Sequence, residues 1–117
     1  MFNISGSKYI NENNLKWNKV ISFDKVYLKN LLTRENSKSF GVSIRRIDCN
    51  GKVPKHSHEE ESLYYFLEGN GKVYLGKEVN EIEPGLVVYI SSWEIHGIEN
   101  TGLDSIKYIE IKSPNTF

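Results

Sequence analysis

Short apolar runs, each interrupted by polar positions and bounded by turn residues, recur along most of this chain. Eight of these runs are rich in β-branched and aromatic residues: 18–23, 25–32, 39–47, 62–69, 71–76, 78–83, 85–90 and 105–112. Turn signals separate many of them, among them Asn50-Gly51, Gly76-Lys77 and Pro84-Gly85. Such runs are typical of strands in an antiparallel sandwich or barrel, and only residues 28–34 could instead form a turn or two of helix. The pattern therefore predicts an all-β protein.

The alternation in residues 62–69 predicts which side chains share a face of the sheet. Ser62, Tyr64 and Phe66 have the same parity as His56 and His58. Side chains two residues apart on a strand point to the same face, as long as no bulge interrupts the strand. We therefore expect Ser62, Tyr64 and Phe66 to line a pocket beside the two histidines.

Length and charge limit the kind of protein that this can be. A chain of 117 residues suits one domain, in which we place the core barrel at about residues 40–112 and further strands in residues 1–39. Fifteen basic residues balance fifteen acidic ones, which argues against nucleic acid or an anionic membrane as the partner and favours a small molecule. A single cysteine, and no apolar leader or long apolar run, predict a cytoplasmic protein.

The three histidines of the chain form the most informative polar pattern. His56 and His58 are two residues apart, and His96 follows about forty residues later. On a strand the first two imidazoles point the same way, and a second strand can bring the third to the same place. Imidazole is a good ligand for several transition metals, so the pattern predicts a site for one divalent ion, either Fe, Zn, Ni or Mn.

Two segments resemble the conserved motifs of the cupin superfamily. The stretch GKVPKHSHEEESLYYFLEG at 51–69 is similar to the first cupin motif, and GLVVYISSWEIHGIEN at 85–100 is similar to the second. With the strands between and around them, the resemblance covers roughly residues 40–112 and is closest to small single-domain bacterial cupins. It implies a jelly-roll β-barrel, often a homodimer, in which His56, His58, His96 and a glutamate hold a divalent metal.

The chain departs from the cupin motifs at three positions. Ser62 stands in the slot of the metal-binding glutamate, and Glu61 could reach the metal as a fourth ligand only through a bulge. In the second motif, Ser91 and Trp93 replace the usual proline and glycine. We expect Trp93 to act as a lid or a wall of the substrate pocket.

The chemistry of three neutral imidazoles suggests what such a site would do. They leave a bound ion with its full double charge, so the ion would be a strong Lewis acid that prefers a chelating enolate, thiolate or carboxylate. One hypothesis is a metal-dependent dioxygenase or isomerase that acts on a small chelating metabolite. The alternative is a non-catalytic module that binds or senses a sugar or an acidic metabolite, with a degenerate metal site or none.

Two further expectations concern an arginine and the oligomeric state. Arg46 shares parity with Val42 and Ile44, so we predict that it faces the barrel interior and binds a substrate carboxylate there. The polar segment of residues 3–14 could extend across the sheet of a second copy and cover an exposed edge. We therefore expect a homodimer.

Overall fold

The structure is a computed structural model that describes residues 6–117. In this range one short 3-10 helix, Glu12–Asn14, precedes nine β-strands. The strands are β1 (Asn18–Lys19), β2 (Asp24–Leu32), β3 (Gly41–His56), β4 (Glu61–Glu68), β5 (Gly71–Leu75), β6 (Glu78–Ile82), β7 (Val87–Ile90), β8 (His96–Glu99) and β9 (Ile106–Ser113). The prediction of an all-β chain is confirmed, and residues 28–32 belong to a strand rather than to a helix.

The strands form one curled antiparallel sheet of the jelly-roll type. Its order is β6-β5-β8-β3-β9-β4-β7, with β2 also paired to β3 and β1 paired to β2. The turn signals at Gly76-Lys77 and Pro84-Gly85 fall between successive strands. At Gly76-Lys77, for example, a two-residue turn joins β5 to β6, and the positive φ of 59° at Gly76 is one that glycine adopts at little cost.

Strand β3 connects the two halves of the curled sheet. Residues 41–47 pair with β9, whereas Lys52, Val53 and His56 pair with β8. Between the two segments β3 carries extra residues relative to β2, because Asp24 pairs with Lys52 and Val26 already pairs with Ile47. The predicted turn at Asn50-Gly51 is therefore a bulge inside one bent strand, with Asn50 at a φ of 68°.

The core lies inside the curl and consists of aliphatic and aromatic side chains from most of the strands. Tyr64, Phe66 and Tyr108 contact one another at centroid distances of 5.0–6.1 Å. The fully buried core also includes Val26, Ile47, Val53, Val73, Ile82, Ile90, Ile98 and Ile106. This packing fixes the inward positions of β4 and β9, on which Ser62, Glu110 and Lys112 also lie.

Glu12 and Trp17, which precede the first strand, contact the outer face of β2 and β3. Lys29 is buried there, donates to the Glu12 carboxylate at 2.8 Å and lies 4.6 Å from the ring of Trp17. Residues 3–5 of the predicted dimer arm lie outside the described range, and the arm stays a prediction. Within residues 6–117 no helix is long and apolar enough to cross a membrane.

Candidate metal centre

The three histidines meet at one end of the curled sheet. His56 is the last residue of β3, His58 follows it in an extended segment, and His96 is the first residue of β8. The pairing of β3 with β8 places His56 directly opposite His96. Ring centroids are 4.4 Å apart for His56 and His96, 4.8 Å for His58 and His96, and 5.4 Å for His56 and His58.

The orientation of each imidazole is fixed by a backbone carbonyl two residues away. The Nδ1 atoms of His56, His58 and His96 lie 2.8, 3.0 and 2.8 Å from the carbonyl oxygens of Pro54, Glu60 and Glu94. A carbonyl oxygen can only accept, so each Nδ1 carries a proton, and in the neutral form of each ring the lone pair is then on Nε2. Metal-binding histidines are usually held by the same kind of contact.

His96 is the most enclosed of the three rings. It is fully buried, and its Nε2 has no hydrogen-bond partner among residues 6–117. Burial lowers the pKa of His96 to about 4, an effect that the neighbouring rings of His56 and His58 reinforce and the Glu94 carbonyl opposes. The imidazole is therefore neutral at physiological pH, as a metal ligand must be.

This arrangement fits a divalent transition metal. The candidate ligand atoms of the three histidines all lie within 4.8 Å of one another. His56, His58 and His96 would hold such an ion, and it would supply Lewis acidity there. An ion would also satisfy the buried Nε2 of His96, and an unsatisfied buried polar atom is otherwise rare in a folded protein.

The predicted fourth ligand, Glu61, is on the wrong side of the sheet. Strand β4 pairs regularly from Glu61 to Phe66, without the bulge that would turn this carboxylate inward. Its side chain lies on the outer face, where the Tyr89 hydroxyl donates a short hydrogen bond to it. Ser62, in the glutamate slot, does point inward and is buried, and its hydroxyl donates to Glu110 at 3.2 Å.

A cavity of about 230 Å³ extends from the histidines into the curl of the sheet. This volume equals that of roughly eight water molecules at about 30 Å³ each, so it suits a small metabolite. Its lining residues are Val20, Phe23, Leu28, Arg45, Val53, His56, His58, Tyr64, Tyr108, Glu110 and Lys112. The cavity thus has apolar walls, the histidines at one position and three charged side chains at another.

The arginine that faces the interior is Arg45, and the prediction of Arg46 was wrong by one residue. Arg45 faces the cavity and is buried, whereas Arg46 faces outward, donates to Asp48 at 2.8 Å and stacks on Tyr27 and Trp17. The parity argument failed because it took the apolar Val42 and Ile44 as markers of the interior. In this part of β3 the interior holds polar side chains, and the apolar ones lie on the outer face of the sheet.

The other predicted pocket residues divide between the cavity, the core and the surface. Tyr64 lines the cavity, and Phe66 lies deeper, in the core, against Tyr64 and Tyr108. Trp93 is 65% exposed and does not line the cavity. Its backbone N–H donates to the His58 carbonyl at 2.8 Å, so Trp93 contributes to the site through its main chain.

Sequence reasoning missed a charged group deeper in the cavity. The Glu110 carboxylate is buried, and its two oxygens contact Arg45 Nε at 3.1 Å and the Ser62 hydroxyl at 3.2 Å. Lys112 Nζ lies 4.0 Å from the same carboxylate. Both faces of β9 mix apolar and charged residues, so alternation alone gave no reason to place Glu110 and Lys112 inside.

The burial of Arg45 is compensated by this carboxylate. Burial, the largest single influence, lowers the pKa of Arg45, but Glu110 together with the neighbouring Tyr108 and Tyr64 outweighs it, and the pKa is raised. The Nε–H group also lies 3.1 Å from the Ser43 hydroxyl, to which it donates. Arg45 is therefore a fixed cation at the cavity wall.

Known proteins with similar sequence or structure agree with this fold. The family model of the cupin domain matches residues 44–112. An oxalate-binding protein of Thermotoga maritima is 32% identical over 90 residues, which are 74% of this chain and 74% of that protein.

Two solved structures share the fold at lower sequence identity. The polyketide cyclase RemF of Streptomyces resistomycificus has a TM-score of 0.84 at 21% identity, over 95% of this chain and 86% of that one. A predicted oxalate decarboxylase of Thermotoga maritima has a TM-score of 0.82 at 21% identity, over 92% and 99% of the two chains. The match of the family model, the jelly-roll topology and the two histidine-bearing segments together show that this chain belongs to the cupin domain family.

Proposed function

We propose that this protein is a metalloenzyme that holds one divalent transition metal on His56, His58 and His96 and acts on a small chelating metabolite. The convergence of the three histidines, each with Nδ1 held by a carbonyl, and the buried Nε2 of His96 that has no partner among residues 6–117 carry the proposal. A divalent ion in this position would supply Lewis acidity for dioxygenation of the metabolite or for its isomerisation through an enolate.

The other cavity residues have roles that follow from their position. Phe23, Val53 and Tyr64 form walls that exclude water from the space beside the histidines. Ser62, where many cupins have a glutamate, adds no charge to the three neutral imidazoles. The site therefore favours an anionic ligand, since the candidate ligand set contains no carboxylate that would cancel part of the charge of the ion.

Two observations favour the alternative, a cupin that binds a small acid without converting it. The relative from Thermotoga maritima is described as an oxalate-binding protein, and this chain lacks the motif glutamate at position 62. Oxygen consumption by the Fe(II)-loaded protein with simple thiols and diketones separates the two functions. If the protein binds a small acid but turns over no substrate in such a panel, the result would favour the non-catalytic binding protein.

The test of the metal site is elemental analysis by plasma mass spectrometry on tag-free protein. We expect about one transition metal per chain in the wild type, and less than about a tenth of that in a His58→Ala/His96→Ala double variant, because one remaining imidazole cannot hold the ion. Ser57→Ala, between the first two histidines, is the control and should bind metal as the wild type does. A wild-type protein that stays metal-free after reloading with iron, zinc, nickel and manganese would overturn the proposal.

We also propose that two copies associate through the outer face of β4, β7 and β9. Six apolar side chains form a continuous two-by-three array there, in cross-strand register: Leu63, Tyr65, Val87, Tyr89, Ile109 and Ile111. Four of the six are exposed, and monomeric proteins rarely expose a continuous apolar face of this kind. A second copy could bury this face on both partners at once, since a two-fold interface uses the same patch twice.

A further inference from the structure

Arg45, Glu110 and Lys112 form a group of charges that we call the basic cluster. Glu110 and Lys112 lie two residues apart on the inner face of β9, and Arg45 lies on the neighbouring strand β3. The Glu110 carboxylate contacts Arg45 Nε at 3.1 Å and approaches Lys112 Nζ to 4.0 Å. All three side chains line the cavity that also contains His56 and His58.

The two cations of the basic cluster share a second neighbour. Arg45 Cζ lies 5.4 Å from the centre of the Phe117 ring, and Lys112 Nζ lies 4.7 Å from the same centre. Both cations therefore lie beside one aromatic ring, which attracts positive charge, and beside the Glu110 carboxylate. This places them near each other at one part of the cavity wall.

The charges of the basic cluster do not balance. Glu110 is the single acidic residue among those that line the cavity, and it faces two cations, one of them a lysine whose side chain is only 15% exposed. Lysine and arginine are seldom buried without a partner for each charge. One unit of positive charge is thus left over in an enclosed space, where a bound anion would be strongly attracted.

We propose that the basic cluster binds a carboxylate of the substrate, so that the natural ligand is a small dicarboxylate or related dianion. Its first anionic group would lie at the three histidines and its second at Arg45 and Lys112. This inference rests on the proposed metal site for the first contact, and it assigns the second to residues outside the metal centre. A flat, forked guanidinium and a flexible ammonium suit a carboxylate with both oxygens exposed.

The test is calorimetric titration of the metal-loaded protein with oxalate, malonate and succinate, with acetate as the monocarboxylate comparison. In Lys112→Gln we expect the tightest dicarboxylate to lose affinity about tenfold or more, and acetate to lose less than about twofold. The control is Lys107→Gln, since Lys107 lies on the same strand but points outward and pairs with Glu68 at 3.4 Å. It should bind all four acids as the wild type does.

A second variant predicts a change in the opposite direction. Glu110→Gln removes the competing carboxylate and leaves two cations for the ligand, so dicarboxylate affinity should rise several-fold while acetate changes little. A residue that served only to stabilise the fold would not increase affinity when altered. Unchanged dicarboxylate affinity in both Lys112→Gln and Glu110→Gln would overturn the inference.

The metal content separates this inference from the proposed function. If the wild type binds metal but prefers no dicarboxylate over acetate, the basic cluster is not a carboxylate site and the metal site stands. If the wild type binds no metal, the proposed function fails. In that case the metal-free protein could still bind a dicarboxylate, and a weaker affinity in Lys112→Gln would support the carboxylate site at the basic cluster. If the metal-free protein bound no dicarboxylate, the proposed function and this inference would both be overturned.

Discussion

The imidazole of His96 shows how the surroundings of one residue set its chemistry. Its Nδ1 is held 2.8 Å from the Glu94 carbonyl, its ring is fully buried, and its Nε2 is left without a partner among the described residues. Such a nitrogen would be costly to bury unless a ligand completed its bonding. A single histidine in a strand could serve only to stabilise the fold. The combination of a held Nδ1, a buried ring and an unpartnered Nε2 is what points to a metal-binding histidine.

Trp93 is the residue at which the backbone is most clearly strained for its side chain. Its φ is 65°, in the left-handed region, and it stands in the slot where the cupin motif usually has glycine. A non-glycine residue pays about 1–2 kcal/mol for this conformation, whereas glycine loses roughly 0.5–1 kcal/mol through its greater freedom when unfolded. We therefore expect Trp93→Gly to stabilise the fold by about 0.5–1 kcal/mol in urea denaturation followed by circular dichroism.

The neighbouring residue provides the matched control for this substitution. Ser92 lies in the same loop but is not among the residues with positive φ, so Ser92→Gly should destabilise the fold by about 0.5–1 kcal/mol. A lower stability for Trp93→Gly than for the wild type would show that contacts of the exposed indole outweigh the backbone strain. Metal content should stay unchanged, since the Trp93 contribution to the site is its backbone N–H.

At the scale of elements, the pairing of β3 with β8 creates the metal centre. The register of β3 with β8 places His56 opposite His96, and the segment that follows β3 places His58 beside both of them. Gly97, next to His96, lies against β3 so closely that an added Cβ would be 2.9 Å from the Val53 carbonyl oxygen and 3.1 Å from the Lys55 nitrogen. A side chain at this position would push the two strands apart.

Gly97→Ala should therefore weaken both the fold and the site. We expect a loss of about 1–3 kcal/mol in the free energy of unfolding, typical of overpacking, together with weaker metal binding because His96 moves relative to His56. Urea denaturation and metal titration measure the two effects. Gly102→Ala is the comparison in a loop that holds none of the three histidines: its added Cβ would be 3.3 Å from the Asn70 carbonyl oxygen, so it needs a smaller shift and should leave metal affinity unchanged. Equal metal affinity in Gly97→Ala and wild type would contradict the argument.

At the scale of the whole molecule, the curl of the sheet brings two different groups of polar residues to one cavity, the histidines and the basic cluster. Strands β3 and β8 bring the histidines, while β3 and β9 bring the basic cluster. Strand β3 takes part in both because it is long and bent, so His56 and Arg45 lie eleven residues apart on one strand and still line the same cavity. The outer face of the sheet is left with a continuous apolar surface.

The proposed dimer is tested on that outer face. We expect size-exclusion chromatography with light scattering to give a dimer for the wild type at micromolar concentration. A Tyr65→Lys/Val87→Lys double variant should be monomeric, because burying two ammonium groups in an apolar interface is unfavourable. Leu103→Lys is the control, since Leu103 is 91% exposed on a loop away from this face, and it should remain dimeric. A wild-type monomer throughout the micromolar range would exclude the interface.

The sequence by itself determined the fold class, the three histidines and the inward face of β4. Alternation placed Ser62, Tyr64 and Phe66 on one inward face correctly, because one face of β4 packs into the core and the period of a strand is two, but of the three only Tyr64 lines the cavity. The spacing of His56, His58 and His96 resembled a known motif closely enough to predict that they would meet. These features depend on the alternation of residues within single strands and on the spacing of residues within sequence motifs.

Only the tertiary structure decided which charges face the cavity. Arg45 rather than Arg46 points inward, and Glu61 points outward, because register with β9 and β7 fixes the faces of β3 and β4. The partners that stabilise the buried charges come from other strands, as Glu110 does for Arg45. A buried ion pair is favourable only when both members are present, and members 65 positions apart in sequence leave no periodic signal by which either could be predicted.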